Sequence, residues 1–337
     1  MTTLYTTTTQ HINQKMDIEF HYYVTYLVYI KAGFNRNEAE IIAYASQYVD
    51  YNTAQAYVKS RGSNVIVYRS MITQTYDITL PKSIMHQIYI AFHFIPGFSS
   101  QSHSTDMHRK DGKKHHMMTV AGSVPSRILM YSALQSGDLY WIGIATHAFS
   151  DTWAHQNFTG TMDDFNGFSD IKSIITPNIG HADAMSAPDE LCRKWCDPRL
   201  KNPKIDNNKR FLEAAFSLFS ILFEVKKPNI SKQNLILEWE IIEQDLITIW
   251  NTYRAQRFFS ARERRNRIAE YSRIAIKYSG SPILEYDKFA RKREALTSVI
   301  GQYVYRWRDA ELYRTTHWLC FQIAAVKQLE FVKNLES

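Results

Sequence analysis

The sequence predicts an all-α fold, a multi-helix bundle with irregular loops and additional C-terminal helices, and three observations agree on it. The 337 residues include only 12 glycines and 9 prolines, roughly half the usual share of chain breakers. Hydrophobic residues make up 45% and aromatics 14%, ample for a sizeable core. The third observation is His147-Ala-Phe-Ser-Asp151-Thr-Trp-Ala-His155, with polar side chains at intervals of four in a segment of helical composition. At 3.6 residues per turn each step of four drifts only about 40°, so the three side chains share one stripe.

In chain order, residues 1–16 form a polar, threonine-rich tail, and 17–337 form one helical domain: a core over 17–205 and C-terminal helices over 206–337. Asp17–Ala32 reads as a helix ended by Gly33. A second helix starts at Asn35–Glu38, capped by Asn35 or Asn37, and runs to about Asp50. Asn64–Ser70 and Met71–Leu80, rich in β-branched and aromatic residues, form a short hairpin or an irregular segment. Ser83–Phe94 is helix or strand, closed by Pro96-Gly97. Phe98–Thr119 is a polar loop carrying His103, His108, His115 and His116 among lysines, a solvated segment or a substrate lid. Ile128–Ser136 and Asp138–Phe158 give a helix pair separated by Gly137. From Asp163 to about Asn208 the chain is loop-rich, and Lys209–Glu336 gives three or four long helices.

Residues 1–16 lack the apolar stretch of a secretory signal, and the apolar run Tyr22–Ile30 is too short to span a bilayer. Three cysteines, with an isolated Cys192-x3-Cys196, support neither a disulfide framework nor a zinc site. These features predict cytoplasmic synthesis in a reducing compartment, with any export by a non-classical route. A net charge of +7 and a pI near 9.1 favour an anionic partner such as phospholipid or nucleic acid. The run Arg254, Arg257, Arg262, Arg264, Arg265, Arg267 and Arg273, interleaved with aromatics, reads either as a surface for acidic lipid or nucleic-acid phosphates or as a solvated face paired with Glu263 and Glu270. No feature indicates an obligate protein partner.

Imidazole and carboxylate are the ligands that zinc-type ions prefer, and a central Asp between two His can bridge two ions. His147, Asp151 and His155 are therefore candidate ligands, flanked by the apolar Trp141, Ile144, Phe149, Trp153 and Phe158; the plainer reading is the wet face of an amphipathic helix. Asp17 and His21 repeat the i, i+4 pairing, although an acid at a helix start also suits the dipole. Asp50 closes an apolar helix at the end where the dipole disfavours an anion, so a cation there would compensate. His93, between Phe92 and Phe94, is either a buried neutral histidine or a ligand, and His86 is a core histidine. His181 stands in a loop with Asp183 and Asp189 close behind it. Other hydrolase signatures are absent: there is no H-E-x-x-H, no adjacent His-Asp doublet, no P-loop or dinucleotide fingerprint, and no G-x-S-x-G elbow.

Taken together, His147, Asp151 and His155 followed by Asn157 and Phe158 resemble the fingerprint of the zinc-dependent phospholipases C and the single-strand-specific fungal and plant nucleases. Asp17–Tyr26, Tyr44–Asp50 and Thr146–Gly160 look closer still to an uncharacterised bacterial family sharing that pattern. The resemblance covers roughly residues 16–195 and implies a phospholipase C-like bundle with two or three zinc ions. On that reading His147, Asp151, Asp50 and His93 surround one ion, and Asp151 bridges to a second held by His21. His155 and His181 bind a third with Asp183 or Asp189. The chain departs from the family where a mature N-terminal tryptophan binds metal, leaving Asp17 or Glu19 to substitute. It departs again at Met185, where the family has an acid. The implied function is a metal-dependent phosphoester hydrolase acting on a phospholipid head group, with Asp50 as ligand and general base. The alternatives are a nuclease-like phosphodiesterase on the same site, or a metal-stabilised, non-catalytic module acting on a partner or an acidic membrane surface.

Overall fold

The computed structural model describes residues 18–77, 79–97, 109–168, 178–253, 261–299 and 303–336. The polar tail, Asp17, His103, His108, Arg254 and Arg257 lie outside these. The first predicted helix opens as a π-helical turn, Glu19–Val24, in which the Thr25 hydroxyl donates to the Phe20 carbonyl five residues back (3.0 Å). It continues as α1 (Thr25–Ala32), which ends at Gly33 with φ 102°, a left-handed conformation that glycine adopts without steric cost. Helix α2 (Arg36–Tyr51) begins at a capping box, with Asn35 accepting from the Glu38 N–H and Glu38 accepting from the Asn35 N–H. Two short strands follow, β1 (Tyr57–Lys59) and β2 (Ile66–Arg69), then α3 (Lys82–Phe92).

Helices α4 (Val124–Ser136) and α5 (Leu139–Ala154) are separated by Gly137 as the sequence indicates, and Asp138 caps α5 by accepting from the Tyr140 and Trp141 N–H groups. Every residue of α5 from Trp141 to Ala154 is buried. A helix buried on every face belongs inside a bundle, and α5 packs against α2, α4, α6 (Asn207–Lys226) and α10 (His317–Glu336). Between α6 and α10 come α7 (Lys232–Thr252), α8 (Ala261–Ser279) and the short α9 (Ala290–Ala295). Among the described residues no helix is long and apolar enough to cross a membrane.

The all-α expectation is corrected by six strands among the described residues; the fold is mixed α/β. Strands β3 (Lys194–Cys196) and β4 (Lys204–Asp206) make an antiparallel pair in the loop-rich region. Strands β5 (Leu296–Ser298) and β6 (Val304–Trp307) complete a four-stranded sheet of order β2-β1-β6-β5, with β1 parallel to β6 and both outer pairs antiparallel. The predicted hairpin arm at Met71–Leu80 is not a strand among its described residues; β2 turns back onto β1 instead. These strands are three or four residues long and mostly half-exposed, so they lack the run of alternation that marks a strand. The central pairing joins Tyr57 to Val304, a contact no local pattern encodes.

The C-terminal elements share the core of the N-terminal half. Gln322 accepts from the Met71 N–H and donates to Asn52, and Gln328 donates to the Ala91 carbonyl. Where α2 crosses α5, a Cβ on Gly143 would lie 2.5 Å from the Ile42 carbonyl oxygen and 2.6 Å from the Ala45 Cβ. Backbones meet that closely only over glycine and small residues. One turn beyond the crossing on each helix stand His147 and Asp50.

Candidate metal centre

Asp151 is the hub, 1% exposed. Its Oδ1 lies 3.2 Å from His21 Nε2, and its Oδ2 lies 3.1 Å from His93 Nδ1 and 3.2 Å from His147 Nε2. His147 Nε2 is also 3.1 Å from His93 Nδ1 and 3.8 Å from Asp50 Oδ1. A second cluster stands beside it: Asp189 Oδ1 is 3.0 Å from His155 Nε2, and Oδ2 is 3.3 Å from His181 Nε2. Three groups thus offer converging donor atoms: His21/Asp50/His147, His93/His147/Asp151 and His155/His181/Asp189. Tetrahedral zinc with bonds near 2.0–2.1 Å spaces its ligand atoms about 3.3 Å apart. Most of the measured separations fall there.

Local structure explains the convergence. His147 and Asp151 are i and i+4 on α5. The helix stops at Ala154, so His155 is its C-cap (φ −93°, ψ 8°) and not a third helical position. The departure is completed by Asn157 at φ 69°, which asparagine tolerates better than most residues. His93 is likewise the C-cap of α3, His21 sits in the π turn, and Asp50 is one residue from the end of α2. Turns that depart from α geometry recur at functional sites.

Neighbouring backbone carbonyls set the imidazoles. A carbonyl only accepts, so the contacts from His155 Nδ1 to the His93 carbonyl (2.8 Å) and from His181 Nδ1 to the Met185 carbonyl (2.7 Å) place the proton on Nδ1 in both rings. Each Nε2 is left facing Asp189, where it would offer a lone pair to a bound cation. His93 Nε2 donates to the Thr73 carbonyl at 3.0 Å, which turns Nδ1 to Asp151 at 3.1 Å. Both ring nitrogens of His21 and Asp151 Oδ1 are buried without a hydrogen-bond partner. Such orphans cost about 1–3 kcal/mol each unless something satisfies them, and a bound cation would satisfy Asp151 Oδ1 and the one unprotonated nitrogen of His21.

Electrostatics follow from burial and proximity. Burial and the neighbouring His21 push His147 down to about 4, so it is a neutral ligand at pH 7. Burial opposes charge on His155, but Asp151 and the bond to Asp189 raise it to about 9. Burial likewise disfavours ionised Asp151, yet His147 and His155 hold it well below the carboxylate range. Asp189 is lowered by His181 and His155 against the same penalty. Without metal, a proton on His155 balances the two acids; with metal, the ion takes that place.

The clusters open onto a cavity of about 220 Å³ lined by Asp50, Asp151, Asp189, Tyr76, Phe94 and Met185 among others. Phe94 stacks on His155 at 4.3 Å between centroids, and its ring approaches Gly180 so closely that a Cβ there would lie 2.6 Å away. Met185, 72% exposed, has φ 54° and ψ −131°, a strained conformation for any residue but glycine. That strained peptide supplies the carbonyl which orients His181.

The structure thus brings together His21, Asp50, His93, His147, Asp151, His155, His181 and Asp189. It does not bring the other candidates there. Glu19 is buried in a two-pronged ion pair with Arg267 (2.7 Å for each contact) and accepts from Tyr271, so it is no ligand, and Arg267 is no surface cation. Asp183 accepts from the Phe168 N–H, leaving Asp189 as the carboxylate of the third cluster. His115 faces Asp163. His86 is half-buried and lines a separate groove of about 410 Å³ between α3 and α10. Thr73, Gln74 and Phe94 carried no ligand signal in the sequence. Phe94 was marked only by standing next to His93.

No curated protein and no solved structure matches this chain. Residues 16–335, nearly its whole length, match the family described as Family of unknown function (DUF6765), and the chain belongs to that family.

Proposed function

We propose that the protein is a metal-dependent phosphoester hydrolase with two or three zinc-type ions, similar in chemistry to the zinc-dependent phospholipases C. The observation that carries this reading is the bridging geometry of Asp151, whose two oxygens face different histidines while His155, His181 and Asp189 converge beside it. Bound ions of this type lower the pKa of water toward neutrality and neutralise phosphate oxygens during in-line displacement. Asp50, lining the cavity beside His147, accepts the proton of the attacking water. Neutral His147 and the carbonyl-held His93, His155 and His181 keep their lone pairs directed inward. Phe94 shields His155 from solvent.

Among the described residues lining the cavity there is no Lys or Arg. A long polyanion needs a basic track for its backbone, so this lining favours a phospholipid head group over nucleic acid. The exposed Arg262 and Arg265 of α8 suit an acidic membrane surface, whereas Arg273 pairs with Glu270. Cys192, Cys196 and Cys320 are free thiols.

The test is elemental analysis followed by assays on bis(p-nitrophenyl) phosphate, phosphatidylcholine vesicles and single-stranded DNA. Asp50→Asn is expected to stay folded and to keep the ions at Asp151 and Asp189, to bind the ion beside His147 more weakly, and to lose turnover by about 10²–10⁴. A folded, metal-loaded protein inert on all three substrates would remove the hydrolase reading and leave a metal-stabilised, non-catalytic module.

A further inference from the structure

We propose that Asn207, the first residue of α6, is the positioning residue of the His155/His181/Asp189 cluster. This rests on the metal reading above. Asn207 is fully buried. Its carboxamide nitrogen donates to the carbonyls of Ala187 (2.8 Å), Pro188 (3.2 Å) and Glu190 (2.7 Å). Those carbonyls flank Asp189 in sequence. Three acceptors around one nitrogen leave no doubt which end of the amide is the NH₂. Its oxygen accepts from Trp195 Nε1 at 2.9 Å, and its backbone N–H donates to the Arg193 carbonyl at 3.0 Å.

The single turn Ala187–Asp189 is too short to hold its own shape. Asn207 ties it to the start of α6, and that tie aims the Asp189 carboxylate at His155 and His181. Ligand atoms must sit within a few tenths of an ångström of their place, so a side chain that shapes this loop sets affinity without touching the ion. Residues of this kind typically govern metal affinity by 10–100-fold.

Asn207→Asp preserves size and the Trp195 acceptor but turns a carboxylate oxygen toward three carbonyls. Asn207→Ser keeps one short donor and decides the question where the aspartate variant does not fold. Asp189→Asn is the benchmark for a lost ligand. Zinc content after dialysis, circular dichroism and the visible spectrum of the cobalt(II)-substituted protein are measured on all four chains. Both Asn207 variants are expected to keep the ions around Asp151, to weaken the ion at His155 by 10–100-fold, and to lose the cobalt band that Asp189→Asn also loses. Folded Asn207 variants with wild-type affinity and spectrum, beside an Asp189→Asn chain that lacks the band, would overturn the assignment. A wild-type chain that takes up no zinc or cobalt would overturn both it and the reading it rests on.

Discussion

Gly143→Ala tests whether the helix crossing sets the metal centre. The added Cβ would stand 2.6 Å from the Ala45 Cβ and 2.5 Å from the Ile42 carbonyl oxygen. Carbon atoms pack at about 3.5–4.0 Å, so α2 and α5 must part by about 1 Å. Overpacking of this kind costs about 1–3 kcal/mol, which lowers Tm by roughly 2–4 °C per kcal/mol in large domains. One turn further on, Asp50 and His147 move apart from a starting separation of 3.8 Å. A tetrahedral ion holds its ligand atoms about 3.3 Å apart and cannot span the widened gap. The expected result is a lower Tm together with weaker binding of the ion at Asp50, while the His155/His181/Asp189 ion is retained. Differential scanning calorimetry with and without zinc, alongside zinc titration, reads both effects. An alanine variant with wild-type Tm and wild-type zinc affinity would refute the crossing as the determinant.

Other outcomes follow from the same geometry. In metal-free protein, His155 at about 9 in the fold exceeds its unfolded value near 6.5. Its contribution is therefore full below pH 6.5 and lost as pH rises through 9. His147, held at about 4, works in the opposite sense and costs stability as pH falls from 6.5 to 4. Asp151 and Asp189, both lowered, add a further loss in acid, so metal-free Tm is expected to peak near pH 6.5, and zinc should flatten its alkaline side. Met185→Gly relieves a φ of 54° worth about 1–3 kcal/mol against an unfolded-state entropy cost of about 0.4–1 kcal/mol; Tm should rise with zinc content unchanged, and a fall in Tm would show that the thioether itself is needed. Arg267→Met removes the two-pronged partner of buried Glu19 and leaves it only Arg264 at 3.6 Å and the Tyr271 hydroxyl, a loss of up to about 3–5 kcal/mol in urea denaturation. Adding Glu19→Leu should recover much of it, whereas additive losses would argue against the pair.

Local signals in the chain read well where local physics decides. Asn35 with Glu38, Gly33 and Gly137 mark helix ends through capping and left-handed φ, and the structure has them there. The four-residue spacing places His147 and Asp151 on one face because α5 is regular over both. The spacing makes His155 a third helical position, but the helix ends one residue earlier, and from the C-cap its ring meets Asp189. What was not legible depends on distant partners. Glu19 reads equally as ligand or ion-pair member until Arg267 arrives from 248 residues away. The β1–β6 pairing and the carbonyls of Thr73 and Met185 that orient His93 and His181 depend on tertiary placement, which leaves no periodic trace.

The central claim is that Asp151 bridges two ions. Anomalous diffraction at the zinc edge, on crystals of zinc-loaded protein, tests it most directly. The account expects two peaks about 3.5–4 Å apart on either side of the Asp151 carboxylate, with any third peak beside Asp189. A zinc-saturated crystal with no anomalous peak between Asp151 and His21 or His147, its imidazoles bonded to carboxylates alone, would contradict it.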